Sequence, residues 1–403
     1  MILDLHIEKL VQGGEGMGRM PDGRVCFVRG GLPGELCRVE LLQDKKDFAR
    51  GRIAKIIEKS PDRVEPRCPL YGKCGGCSLQ HLSSEKQALY LEKVERENFR
   101  RLAHAELPEN FKIWTGPAWG YRNRARVVIY KKKGGDVLYG FRMQKSNGVI
   151  PFQNCPVLTP ALNAFLSENA TKIFDEFKHH SKSFELDVNL FDNGRGEISY
   201  YYKGMPASEF KRNASSVVEI VDSKICSDAS VFFQSNLSLL PALVQSVQNA
   251  VDEGIASGEA CDEWLIDLFS GVGFFATVLR NRFKRITTVE RDDGCLKHAK
   301  ENLSGGGNVE NVSAPAEDWL AKNVVDCPAT LIVDPPRTGL PPSALEAIVK
   351  SSVNRIIYVS CDPVTLARDF TRFRDTGFTL KKAEGFAFYP HTPHLEMLFV
   401  LSR

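Results

Sequence analysis

The 403-residue chain carries 53 Lys and Arg against 50 Asp and Glu, with 43% hydrophobic and 26% charged residues. That length exceeds one ordinary core, so two or three domains are expected. No apolar run nears the roughly 18 residues that a membrane span needs. The opening "MILDLHIEKLVQ" holds Asp4 and Glu8 where a signal peptide would need an apolar core. A cytoplasmic protein without membrane contact is therefore expected. Eleven cysteines in such a chain argue against a disulfide framework, and a net charge of +3 shifts attention to how charge is distributed locally.

Residues 1–60 read as all-β. Short alternating segments are separated by "GGEGMGRMPDGR" and "RGGLPGE", both rich in turn formers. A unit of this size fits a small OB-type barrel, among other small β modules. Residues 61–80 form a Pro- and Cys-rich connector in which Cys68, Cys74 and Cys77 crowd together, a metal-site signal. The stretch 83–102 has helical periodicity, with Ser83 or Ser84 as its N-cap. Residues 61–214 are expected to form a central α+β domain. Within it, residues 121–145 carry eight Lys or Arg against one acid, Asp136, with four Tyr or Phe interleaved. Charge for phosphates and flat rings for bases suit an RNA-contacting surface, although a solvated basic face would look the same.

From about residue 215 onward, apolar strands alternate with helical patterns. "EWLIDLF", "RITTVE", "ATLIVD" and "RIIYVS" read as buried parallel strands of a doubly wound α/β domain over residues 215–403. After the first of these, "DLFSGVGFF" places Gly271 and Gly273 at a strand-to-helix turn. Glu290 ends the next strand 17 residues beyond Gly273, where an acid commonly accepts ribose hydroxyls. The loop has no Walker lysine, so an adenosine without phosphates, as in S-adenosylmethionine, fits better than a nucleotide. Glu317 or Asp318 follows a third strand and could meet the adenine or stay solvated.

Ligands of open α/β sheets lie beyond the carboxyl ends of the strands. Asp334 ends one strand in "VDPPRTGL" and Cys361 ends the next in "VSCDPVTLARD", so both belong on the rim with Gly271 and Glu290. The doubled proline stiffens the backbone after Asp334. Near the C-terminus, "FYPHTPHLEMLFVLS" carries His391, His394 and Glu396. The helical HExxH zinc pattern is absent, which leaves a carboxylate able to act as a base near a thiol.

These motifs together resemble the RNA uracil-C5 methyltransferases. The resemblance runs through nearly the whole chain: the β-rich N-terminal unit, Cys68-x5-Cys74-x2-Cys77 with Cys155 in "NCPVL", "GYRNRARV", "FFQSN", "DLFSGVG", "DPPRTGL", "SCDPVTLARD" and "PHTPHLE". It implies a TRAM-like OB-fold domain at the N-terminus and a C-terminal Rossmann-like S-adenosylmethionine-dependent catalytic domain. The central α+β domain would hold an iron–sulfur cluster of the 4Fe–4S type on Cys68, Cys74, Cys77 and Cys155. A four-cysteine set also suits zinc.

By motif position the resemblance implies Cys361 as nucleophile and Glu396 as base, with Asp334 and Gln234 at the uracil. Gln234, Phe269, Gly271, Glu290, Asp318 and Asp334 would surround the cofactor. The N-terminal domain and the cysteine cluster point to the branch acting on 23S ribosomal RNA, with a monomer expected. A tRNA (uracil-54) enzyme is the alternative within the family, and a non-catalytic RNA-binding assembly factor the alternative outside it. Ala387, Phe388 and Asp362 stand where relatives often carry Asp, Met and Asn.

Overall fold

The computed structural model describes residues 1–131, 135–180, 185–212 and 216–403. Lys132 and Lys133 of the basic 121–145 segment therefore lie outside the described residues. Residues 1–58 form a six-stranded sheet in the order Ile2–His6, Leu36–Asp44, Phe48–Glu58, Val25–Arg29, Gly16–Arg19, Lys9–Leu10. Its pairs are antiparallel except for Val25–Arg29 on Phe48–Glu58. Residues of alternating burial along Val25–Arg29 send Cys26 and Val28 into a small core with Leu5, Val39 and Ala49.

The central region is a five-stranded antiparallel sheet with strands Val149–Pro151, Val137–Arg142, Arg124–Lys131, Glu185–Asp192 and Ile198–Tyr202, in that order. The helix Pro160–Phe177 covers one face. It is capped by Thr159, whose side-chain oxygen accepts the Leu162 N–H, and it buries Leu162, Leu166, Ile173 and Phe174.

The largest sheet has eight strands, in the order Asn308–Ser313, Arg285–Glu290, Trp264–Leu268, Ala329–Val333, Val353–Ser360, Glu396–Ser402, Thr379–Phe386, Lys112–Trp114. The first five are parallel, and Glu396–Ser402 runs antiparallel to both its neighbours. The apolar runs are continuous because both faces are covered. Ile356 and Tyr358 pack on one side with Phe99, Phe370 and Phe373, while Ile357 and Val359 pack on the other with Leu243, Val247 and Phe275. Strand order reverses between Trp264–Leu268 and Ala329–Val333, which sets the ligand crevice there.

Residues well before 215 also pack into this unit. The helix Ser84–Ala103 puts Phe99 against Phe370 and Phe399, and Lys112–Trp114 adds the edge strand to the eight-stranded sheet. A short edge strand gives little alternation to read, so its partner was not visible from residue pattern. Among the described residues, no helix is long and apolar enough to cross a membrane.

Candidate active site

The crevice at the strand ends holds a cavity of about 1000 Å³. Its cofactor-side wall begins at the turn after Trp264–Leu268. Phe269, Gly271 and Gly273 all have left-handed φ values (59°, 53° and 74°), and the helix Phe274–Leu279 starts immediately afterwards. A Cβ on Gly273 would stand 3.2 Å from Ala299, so this glycine also permits the close approach of the next helix. The Gly271 N–H donates to Glu290 Oε2 at 2.9 Å, and the Arg291 and Asp292 N–H groups donate to Oε1, each at 2.8 Å. These bonds fix the Glu290 carboxylate on the wall and leave about one of its four acceptor sites, on Oε2, for a hydroxyl donor.

The opposite wall is built by adjacent strand ends. Val333 pairs with Tyr358 and Ser360 pairs with Met397, so Asp334, Cys361 and Glu396 emerge at neighbouring register positions. All three line the cavity with Gln234, Phe269, Gly271 and Glu290. The ring of Tyr389, His394, Arg122 and Arg337 completes this end. These four lie within motifs already prominent in the sequence, but their side chains carry no spacing rule that would single them out.

Asp318 does not belong to this wall. It is exposed on the helix Ala316–Lys322, whereas Glu317 lines the cavity. One helical step turns a side chain about 100°, enough to exchange crevice for solvent. His391 is also removed from the reaction. It is buried, bonded to Gln87 through both its N–H (2.8 Å) and its Nδ1 (3.0 Å), and packed at 3.9 Å on the Trp119 ring. Burial lowers its pKa to about 4, so the ring is a neutral packing group.

Electrostatics concentrate at the reaction end. Burial pushes the Cys361 thiol up to about 11, the Glu396 and Asp334 charges push the same way, and Arg337 opposes them. Burial and the neighbouring Asp334 raise the Glu396 carboxyl, again against Arg337. Burial raises Asp334 as well. A buried carboxyl pair cannot ionise twice without cost, so burial and mutual repulsion both favour a proton on this pair.

A third carboxyl lies beneath the glycine turn. Asp267 is fully buried, accepts the Ala276 N–H at 3.1 Å and is raised to about 8 by burial. A carboxyl whose folded pKa is raised stabilises the fold below its unfolded value and loses that contribution as pH rises through the folded value. Between the ordinary 3.8 and about 8, each such group should cost about 1.4 kcal/mol per pH unit. Thermal melts of the ligand-free protein should therefore fall across this window, and Asp267→Asn should flatten the slope. A slope unchanged by that substitution would show that Asp267 is ionised in the fold.

Cys68, Cys74, Cys77 and Cys155 are all free and half-buried. Cys74 feels the charge of Cys68, Cys77 feels Cys74 and Cys155, and Cys155 feels Cys68 and Cys74. The connector and the "NCPVL" loop thus bring the four thiols into one neighbourhood. Among the described residues, no trio of His, Cys, Asp or Glu stands at metal-ligand distance. Four cysteines are a donor set that suits a thiolate-ligated group; in its absence burial raises the thiols of Cys74, Cys77 and Cys155 and keeps them neutral. The Gly76 N–H already donates to Cys74 Sγ at 3.4 Å. Gly75 and Gly76, between two of these cysteines, line the catalytic cavity itself.

Comparison with known proteins agrees with this geometry. A TRAM-domain model matches residues 2–54, and the model for tRNA (Uracil-5-)-methyltransferase matches residues 323–403. The 23S rRNA (uracil(1939)-C(5))-methyltransferase RlmD of Methylococcus capsulatus is 31% identical over 99% of this chain and 96% of its own. The enzyme of the same name from Shewanella sediminis is 32% identical over 98% and 94%. This chain belongs to the RNA uracil-C5 methyltransferases. The crystal structure of Pyrococcus abyssi tRNA (uracil-54, C5)-methyltransferase in complex with S-adenosyl-L-homocysteine shares the fold, with a TM-score of 0.73 at 23% identity, covering 99% of this chain and 100% of that one. The expected fold class, a Rossmann-like methyltransferase with an N-terminal TRAM domain, is the observed one, and the methyl donor of the family is S-adenosylmethionine.

Proposed function

We propose that this protein methylates C5 of one uridine of 23S ribosomal RNA, at the position equivalent to 1939, in the cytoplasm. The observation that carries the reaction type is the convergence of Cys361, Glu396 and Asp334 on the cavity that also holds the glycine turn and Glu290. Its substrate rests on similarity to 23S rRNA enzymes over the full chain.

Carbon C5 of uracil is too weak a nucleophile to react alone. Cys361, as thiolate, forms a bond to C6, and the C5–C6 electron pair moves into the C4 carbonyl to give an enolate. Asp334 would bind the uracil edge beside that carbonyl, and Gln234, which lines the same cavity, would sit near base and cofactor. Gly271, Phe269, Glu290 and Glu317 would hold S-adenosylmethionine, which would supply the methyl group that C5 takes, with S-adenosylhomocysteine as the leaving group. Glu396, as carboxylate, then removes the C5 proton. The returning electron pair restores C5=C6 and breaks the C6–sulfur bond, which frees Cys361. Splitting one hard step into easier ones is the usual gain from such a covalent path.

A paired or stacked uracil cannot expose C6 to Cys361, so the target must be extruded or lie in a loop. Residues 1–60 and the basic 121–145 segment would grip the surrounding strand. Cys68, Cys74, Cys77 and Cys155 would hold a 4Fe–4S cluster beside the cavity, a structural role in keeping with their first spacing of five residues. Anaerobically purified protein should contain about four iron and four sulfide per chain, and Cys77→Ser should lose both. Zinc without sulfide would identify the rival group.

Ribosomal RNA from a deletion strain, digested and compared by mass spectrometry with its parent, should lack 5-methyluridine at the target. Intact ribosomal RNA with depleted tRNA 5-methyluridine would reassign the substrate.

A further inference from the structure

One wall of the cavity has no strand or helix of its own. Residues 230–235 all line the cavity, and from Asp228 to Ser235 the chain forms neither element. Gln234 sits on this segment, so its place depends on what ties the segment down. Side chains from three other parts of the chain do so. Arg124 donates through Nη1 to the Asp228 carbonyl at 3.0 Å and through Nη2 to the Val231 carbonyl. The Ser199 hydroxyl accepts the Ala229 N–H at 3.1 Å. His298 bonds Asp228 through Nε2, 2.8 Å from Oδ2.

Of these ties, only His298 comes from the cofactor side. It belongs to the helix Asp293–Asn302, which starts directly after Glu290, Arg291 and Asp292, all of which line the cavity. Gly294, His298 and Asn302 stand four residues apart and so form one stripe of that helix. A Cβ on Gly294 would stand 3.2 Å from Val231, so the glycine lets the segment approach. The Asn302 side chain accepts the Cys226 N–H at 2.7 Å and donates to the carbonyls of Cys226 (3.1 Å) and Val272 (2.9 Å), which ties in the glycine turn. Between them lies the His298–Asp228 pair, with both side chains buried at 5% and 3% exposure, where water does not compete. Burial pushes the Asp228 carboxyl up, but the bonds from His298 and Ser230 outweigh it and the net direction is down. Asp228 is therefore the anion and the Nε2–H the donor. Its Oδ1 accepts the Ser230 N–H (2.7 Å) and hydroxyl (2.5 Å). Among the described residues the other ring nitrogen, Nδ1, has no partner, so Asp228 is the polar group this imidazole serves.

We infer that His298 and Asp228 are positioning residues for the methyl donor: their bond fixes the helix that follows Glu290 against the segment that carries Gln234, and so sets the cofactor cleft before the cofactor arrives. An irregular segment left to order itself on binding would charge its lost freedom to the affinity. A buried, charge-assisted hydrogen bond is strong enough and directional enough to remove that cost.

The inference rests on Glu290 and Gln234 bordering the cofactor, and the test separates the two. Calorimetric titration of the full-length protein with S-adenosylhomocysteine, without RNA, reads the affinity directly. His298→Phe, which keeps a ring and removes the donor, should weaken binding about tenfold, the size of one lost hydrogen bond to a charged group. Asp228→Ala should weaken it by a similar factor, and the double variant should bind no more weakly than either, because the two groups act as one. His298→Gln, whose amide can place an N–H where Nε2 stands, should recover most of the loss. In turnover, the KM for S-adenosylmethionine should rise with kcat little changed. Unchanged affinity in folded His298→Phe overturns the inference, even where its melting temperature falls, and so does a loss confined to kcat. If His298→Phe does not fold, Asp228→Asn decides by the same titration: it keeps the size, removes the charge and should weaken binding about threefold, and unchanged affinity overturns the inference. Failure of the cofactor reading would show elsewhere, as Glu290→Gln leaving the affinity for S-adenosylhomocysteine intact.

Discussion

Cys361→Ala will abolish methyl transfer, by roughly 10⁴-fold or more, while the fold and cofactor binding persist. The sulfur is the only atom that can raise the electron density of C5, and no neighbouring side chain can substitute for it. Asp334 and Glu396 are oxygen acids whose burial favours their neutral forms, and burial also keeps His394 and Tyr389 neutral. The site is otherwise undisturbed by losing one sulfur at a half-exposed strand end. RNA containing 5-fluorouracil gives the sharper readout. Fluorine at C5 cannot leave as a cation, so the wild-type protein should accumulate a covalent protein–RNA adduct that resists denaturation. Cys361→Ala should form none. An adduct that survives in the variant would place the nucleophile elsewhere.

Much of this site was legible in the sequence because parallel α/β sheets concentrate function at strand ends. "ATLIVD" and "RIIYVS" are apolar runs that stop at a polar residue, and that stop marks the rim. The strand Val353–Ser360 is buried on both faces, so its pattern is unbroken and its end unambiguous. The choice between Glu317 and Asp318 was not legible, for a different reason: Asp318 lies outside the cavity lining that includes Glu317. It follows an irregular loop onto a seven-residue helix, where neighbouring acids face different ways and only packing decides which faces the crevice. The pairing of Asp228 with His298 was not legible at all. Its members come from an irregular segment and a helix 70 residues apart, and only the fold brings them together. The recruitment of Lys112–Trp114 into the catalytic sheet is equally non-local. Three residues of edge strand take their place from backbone bonds to Glu384–Phe386, not from any pattern of their own.

Glu396→Gln should separate the two halves of the reaction, and it gives the second large effect. Glutamine keeps the size of the side chain and can occupy the same place at the start of Glu396–Ser402, but it cannot accept the C5 proton. Thiol addition and methyl transfer precede that proton's removal, so both remain possible in the variant. Release does not. Turnover should fall about 10²–10⁴-fold, the usual range for loss of a positioned base, while ordinary uridine RNA and S-adenosylmethionine yield a trapped adduct that already carries the new methyl group. Mass spectrometry of that adduct is decisive, because its mass distinguishes a methylated base from an unmethylated one. An unmethylated adduct would mean that Glu396 acts before methyl transfer, at the thiol proton of Cys361. No adduct at all, with turnover lost, would mean that its charge organises the cavity without touching C5. The pH dependence follows from the same burial. Both Cys361 and Glu396 act in their deprotonated forms, and both are raised above their ordinary values. Activity in the wild-type protein should therefore climb from pH 6 through pH 9 on the order of tenfold or more, with the sign set by protons that burial makes harder to remove. In Glu396→Gln only the thiol limb should remain, so adduct formation should still rise with pH while release stays slow throughout.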